Sequence, residues 1–183
     1  MRTYILPFAE PDAKVRIMFE DEAGFGRISD PALCWAPRGV RPAVCCQHVR
    51  EYRYLFGAAD PIDGEGFFLI TPNCDTECMN IFLKELSAAY PKDYILMPLD
   101  NAGWHKSKTL VIPENIRLFF LPPRTPEMNP LEQVWKELRK RGFKNEFLHT
   151  LNKVVERLCD TCNSLTPDCV KSITGRRWIL SMF

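Results

Sequence analysis

The sequence predicts an α/β protein in which helices cover a β-sheet. Two observations carry that prediction: short apolar runs of strand character fill the N-terminal part, and apolar residues at helical spacing dominate the C-terminal part. The order reads as several strands, a helix, a strand, a short connection, a strand and two helices. No linker or internal repeat interrupts it, so residues 1–183 are expected to form one domain.

Each element has its own signal. The alternation of Val15, Ile17 and Phe19 predicts a first strand over Lys14 to Glu20, and Gly24-Phe25-Gly26 with Asp30-Pro31 predicts the turn after it. Ala32 to Trp35 is a candidate second strand. Tyr52 to Ala58 has aromatic strand character, and Asp63-Gly64 signals a turn before Phe67 to Ile70, so an antiparallel meander is the simplest account. The period then changes. Met79, Phe82, Leu83, Leu86 and Tyr90 share one face of a helix that Asp75 or Thr76 caps and Pro91 ends. Tyr94 to Leu99 and Ile116 to Leu121 are apolar runs of strand length, separated by a connection around Lys106 to Leu110. Pro98 lacks a ladder donor and fits a sheet edge or a strand end. Leu131, Val134, Trp135 and Leu138 mark a helix beginning at Pro130, where a missing N–H costs little. Thr150 to Ser164 supplies the closing helix.

Composition narrows the class. The segment Met1 to Pro7 lacks the apolar core of a secretory signal, and no stretch approaches the roughly 20 apolar residues of a membrane span. The expectation is a soluble, cytoplasmic protein. Net charge is +1, but residues 1–100 hold 10 Lys+Arg against 15 Asp+Glu, whereas residues 101–183 hold 14 against 8. The basic half includes Lys136, Arg139, Lys140, Arg141 and Lys144, with Arg176-Arg177 further on. Such a stripe either attracts phosphates or forms a solvated helix face, and charge alone does not decide between them. Among eight cysteines, Cys159 and Cys162 fall on the apolar face of the closing helix, which favours buried thiols. A zinc site joining Cys74 and Cys78 to that pair stays open.

Three carboxylates carry the chemistry. Asp21 follows the first strand pattern, Asp100 ends the run Tyr94 to Leu99, and Glu132 opens the helix after a loop stiffened by Pro122, Pro123 and Pro126. If the two strands are parallel neighbours, Asp21 and Asp100 emerge side by side at the carboxyl edge, where open α/β sheets bind ligands. Each acid alone is more often a strand-end or helix-start residue than a ligand. Together they suit a hard cation, Mg2+ or Mn2+, and two such ions would serve phosphodiester displacement.

The segments Phe19-Glu20-Asp21-Glu22-Ala23-Gly24-Phe25, Leu99-Asp100-Asn101-Ala102-Gly103-Trp104-His105-Lys106-Ser107 and Leu121 to Trp135, with its Pro-Pro-Arg-Thr-Pro-Glu-Met-Asn-Pro-Leu-Glu core, resemble DDE transposases. The similarity is greatest to the insertion sequence 630 and mariner superfamily, and the motifs occur in the family's order over about residues 15–145. The resemblance implies an RNase H-like mixed β-sheet flanked by helices, with Asp21, Asp100 and Glu132 as the metal-binding catalytic triad. It further implies cleavage of DNA at transposon ends and strand transfer into target DNA, with a homodimer at synapsis. Candidate DNA contacts are Asn101, His105, Lys106, Arg124, Asn129, Lys136, Arg139 and Lys140, with loop-holding as the alternative for His105. Trp135, on the apolar stripe, reads as core.

The helix-turn-helix region that reads terminal repeats in this family has no counterpart here, which points to a separate helix-turn-helix polypeptide or a truncated copy. A catalytically silent remnant that binds DNA or protein is the alternative from another class, and a resolvase-like nuclease a third. A protein acting on DNA would be nucleoid-associated in a bacterium and nuclear in a eukaryote.

Overall fold

The computed structural model describes residues 14–181; the segment Met1 to Pro7, in which the sequence shows no secretory core, lies outside the described residues. Strand β1 (Lys14–Ile17) runs through Met18 into β2 (Phe19–Ile28), followed by β3 (His48–Ala59) and β4 (Gly66–Thr71). Helix α1 (Thr76–Ala89), β5 (Asp93–Leu99), a 3-10 turn (Gly103–Lys106), β6 (Ile116–Phe120) and a second 3-10 turn (Pro126–Met128) come next. Helices α2 (Leu131–Gly142), α3 (Leu151–Asn163), α4 (Pro167–Thr174) and α5 (Arg177–Leu180) complete the order. No helix among the described residues is long and apolar enough to cross a membrane.

The β-structure is mixed, two three-stranded sheets that meet at the continuous segment β1–β2, because β1 and β2 use different partners. β1 pairs parallel with β5, which pairs parallel with β6, whereas β2, β3 and β4 form the expected antiparallel meander. Met18 N donates to Leu96 O at 3.0 Å, which joins the two halves at the kink. Pro98 is tolerated because β1 pairs with β5 only as far as Leu96, leaving the proline beyond that ladder.

Strand alternation builds two cores. Phe19, Ala23, Phe25, Leu55 and Ala59 pack under Leu131, Val134, Trp135 and Leu138 of α2 and Val154 and Leu158 of α3. On the opposite face, Met18, Phe56, Ala58, Met97 and Leu99 pack under Met79, Phe82, Leu83 and Leu86 of α1. Asp75 caps α1 by accepting from Cys78 N at 2.9 Å, and Thr150 caps α3 by accepting from Lys153 N at 3.2 Å, contacts worth about 1 kcal/mol each.

Several expectations are corrected. Gly24-Phe25-Gly26 is strand, not turn: a Cβ at Gly26 would meet Glu51 O at 2.4 Å and the Tyr52 ring at 2.5 Å, so the glycine marks close approach of β3 beside the bulge at Gly26/Arg27. The first strand therefore continues past Glu20, and Asp21 lies inside β2 rather than at a strand tip. Ala32 to Trp35 is irregular, with the Leu33 and Trp35 side chains fully exposed; four residues without a ladder partner do not make a strand. Helices α4 and α5 had no counterpart in the sequence reading. Cys34, Cys45, Cys46 and Cys159 are exposed, since the buried face of α3 is Val154, Leu158 and Thr161. Cys78 packs in the α1 core with Cys74 against it, while Cys162 packs on the other core, so the sheet separates the pairs and a shared zinc is excluded.

Candidate active site

The kink at Met18 sets the position of the acids. Ile17 pairs with Leu96, and Asp21 and Asp100 each follow four residues later, so both chains reach the same end of the sheet. There Asp21, Asp100 and Glu132 line one cleft of about 380 Å³ together with Asn101, Ala102 and the Pro122–Pro126 loop. Arg124 at this loop takes a left-handed φ of 61°, and Thr125 Oγ1 donates to Pro122 O at 2.6 Å, which holds the turn.

Each acid is held differently. Asp21 Oδ2 accepts from the Trp135 indole at 2.8 Å, so the tryptophan is both buried core and a support for the carboxylate. Burial pushes the Asp21 carboxyl up to about 7; the Trp135 bond opposes this, and the negative charges of Glu22 and Glu132 add to it. Asp100 Oδ1 accepts from Ala102 N at 2.7 Å, and its side chain is 60% exposed. Glu132 sits in the first turn of α2, where the helix N-terminus favours a negative charge.

The opposite face of β2 holds a second group, in which Glu20 and Glu22, given no role from the sequence, meet the candidate residue His105. Glu20 and Glu22 point away from Asp21 and meet His105, whose Nε2 lies 2.9 Å from Glu22 Oε1 and 3.6 Å from Glu20 Oε2. His105 Nδ1 lies 3.1 Å from Asp100 Oδ1, and Trp104 Nε1 donates to Glu22 Oε1 at 2.7 Å. Glu20 is fully buried, and that burial holds its carboxyl well above the usual range, with the charges of Glu22, Asp21 and Asp100 adding to the effect. Burial of His105 works against its imidazolium, but the Glu22 hydrogen bond and the charges of Glu22 and Asp100 outweigh it, so its pKa is raised. The signal was present in the sequence as acids at period two inside an apolar strand.

The candidate DNA contacts divide by exposure. His105 and Asn129 are buried and bonded inward: Asn129 Nδ2 donates to Glu20 O at 2.7 Å and its Oδ1 accepts from Leu131 N at 3.2 Å. Through these bonds both side chains hold loops at the site. Arg139 donates to Gly24 O at 3.3 Å and stacks on Phe25 at 4.8 Å, and is half-buried. Asn101 Nδ2 donates to Leu121 O at 2.6 Å and its Oδ1 accepts from Lys106 Nζ at 2.5 Å, so both residues tie the cleft loops together. Arg124 is exposed at the cleft, and Lys136 and Lys140 are exposed on α2, where they flank a groove with Arg176.

A mixed sheet of this order, with helices on both faces, defines an RNase H-like α/β protein. A family model described as DDE superfamily endonuclease matches residues 16–155, and the chain belongs to that family. The uncharacterized protein y4pE/y4sA of Sinorhizobium fredii (strain NBRC 101917 / NGR234) is 38% identical over 130 residues, covering 69% of this chain and 96% of that protein. Among solved structures, the Mos1 strand transfer complex is similar with a TM-score of 0.65 at 13% identity, covering 87% of this chain and 50% of the other. The Mos1 mariner paired end complex with Mn gives 0.67 at 11%, covering 87% and 52%. The simian T-cell lymphotropic virus intasome in complex with PP2A regulatory subunit B56 gamma gives 0.52 at 16%, covering 84% and 50%. At these identities the likeness concerns the fold. The chain spans about half the length of each of these three solved chains.

Proposed function

We propose that this chain carries the catalytic part of a transposase, with Asp21, Asp100 and Glu132 as the acids that hold Mg2+ or Mn2+ and support DNA strand cleavage and transfer. The observation that carries this reading is the convergence of three carboxylates from three distant segments on one cleft. Their all-oxygen donor set suits a hard cation, and burial, with the charges of Glu22 and Glu132 adding to it, raises the Asp21 carboxyl that such a cation would compensate. When bound, a pair of ions would lower the pKa of an attacking water and neutralise charge on the phosphate.

The chain's own groups do the positioning. Trp135 holds Asp21, Ala102 N and His105 hold Asp100, and the proline-stiffened loop delivers Glu132. Arg124 at the cleft, with Lys136 and Lys140 one and two turns past Glu132, would take backbone phosphates, and such contacts weaken steeply with salt. The related Mos1 structures are paired-end and strand transfer complexes, one of them with Mn, which favours DNA ends as substrate and a divalent ion as cofactor. A homodimer at synapsis, a separate helix-turn-helix polypeptide for end recognition, a single catalytic domain and action at the nucleoid or in the nucleus belong to the same reading.

The test uses pre-nicked end DNA taken from the sequence flanking the gene, with Mn2+, comparing the native chain with Asp100→Asn. A loss of at least about 100-fold in strand transfer is expected for the removal of one electrostatic stabiliser. Equal joining by both chains would sink the catalytic assignment. Salt-sensitive binding without cleavage under either metal would favour a silent remnant.

A further inference from the structure

The strongest ligand-bearing group outside the cleft is Glu20, Glu22 and His105, which offer one donor atom each within 4.8 Å of one another. Three features set it apart from an ordinary surface cluster of acids. Glu20 is fully buried, and neither of its carboxylate oxygens has a hydrogen-bond partner among the described residues. Unpaired buried carboxylate oxygens are strongly disfavoured unless a proton or a cation satisfies them. The Glu20 carboxylate is aimed at His105, with Oε2 3.6 Å from Nε2, and Glu22 Oε1 approaches the same nitrogen at 2.9 Å.

Donor spacing fits an ion. Ligands about 2.1 Å from one centre lie roughly 3.0 Å apart at a right angle and roughly 3.4 Å apart at the tetrahedral angle. The observed 2.9 and 3.6 Å bracket these values.

The far side of the ring supports the same conclusion. His105 Nδ1 lies 3.4 Å from the Asp100 carbonyl oxygen, its hydrogen-bond partner, and 3.1 Å from Asp100 Oδ1, so with Nδ1–H directed at Asp100 an ion between Glu20 and Glu22 would meet the Nε2 lone pair. Carboxylate–imidazole pairs of this kind orient metal-ligating histidines. The Trp104 indole fixes the Glu22 carboxylate at 2.7 Å from the side.

We propose that Glu20, Glu22 and His105 form a second, buried cation site that takes one first-row divalent metal with affinity for nitrogen, such as Zn2+, Co2+ or Mn2+, in preference to Mg2+. The site shares no ligand with the cleft and holds whether or not the cleft is catalytic. Its ion anchors the imidazole that supports Asp100, so it acts as a positioning element beneath the carboxyl edge of the sheet.

The test is a Co2+ titration of the full chain, read from visible d–d absorption and from metal retained after dialysis. It is run on the native chain, on a cleft variant carrying Asp21→Asn and Glu132→Gln, and on Glu20→Gln, with circular dichroism to establish folding. One retained equivalent with a nitrogen-ligand spectrum is expected in the native and cleft-variant chains, with at least a tenfold loss of affinity in Glu20→Gln. His105→Ala should abolish the spectrum and serves as the second variant should Glu20→Gln fail to fold. Absence of a retained equivalent in the native chain, unchanged binding in folded Glu20→Gln, or loss of binding in the cleft variant would each overturn the proposal. None of these readouts depends on DNA cleavage.

Discussion

Replacing Asp21 by Asn probes the electrostatics of the cleft directly. Burial moves this carboxyl from 3.8 to about 7, with the Trp135 bond opposing and the charges of Glu22 and Glu132 adding. The folded pKa therefore lies above the unfolded one. As pH rises through the unfolded value the unfolded chain releases its proton first, so stability falls between about pH 4 and pH 7 and the full penalty applies above that. A pKa displaced this far is worth at most about 4 kcal/mol. Asparagine carries no charge and keeps an oxygen for the Trp135 N–H, so it removes the penalty and retains the hydrogen bond. In urea denaturation at pH 8 with a chelator, Asp21→Asn should be more stable than the native chain by about 1–4 kcal/mol, and the advantage should shrink to near zero by pH 4. Mn2+ at pH 8 should narrow or reverse the difference, because the ion compensates the ionised native carboxylate. Equal stability at pH 8 without metal, or an advantage that persists at pH 4, would refute the reasoning.

Two further substitutions test how the fold supports the site. Asn129→Ala removes a bond to Glu20 O and one from Leu131 N, leaving two buried backbone groups unpaired, and should cost about 2–4 kcal/mol in urea unfolding; Asn129→Asp should not restore it, since a carboxylate cannot donate to Glu20 O. Gly57→Ala places a methyl 2.6 Å from Trp135 Cη2 and 3.0 Å from Phe68, which should cost about 1–3 kcal/mol and shift the tryptophan fluorescence. Gly24→Ala, where the added carbon would meet Tyr54 at 3.7 Å, is the control and should change stability little.

Much of this architecture was legible in the chain because local patterns decided it. The period of Met79, Phe82, Leu83 and Leu86 gave α1, the run Tyr94 to Leu99 gave β5, and Pro130 marked the entry to α2. Where the signal was ambiguous the reading failed for an identifiable reason. Glycines at 24 and 26 carry the same letter in a turn and in a strand crowded by tyrosines, and only the position of β3 distinguishes the two. Likewise Cys159 and Leu158 are adjacent in sequence, and the side from which the sheet approaches α3 leaves one exposed and buries the other.

By itself the sequence determined the residue types, their order and the periods that make each strand and helix, and with them the motif that carries Asp21, Asp100 and Glu132. Tertiary structure decided which side chains meet. The kink at Met18 transfers one continuous strand from β5 to β3, and strand alternation then sends Asp21 into the cleft while Glu20 and Glu22 turn to the other face. Side chains one residue apart on a strand point to opposite sides of a sheet, so the acids of Glu20-Asp21-Glu22 divide into two sites that no linear spacing separates.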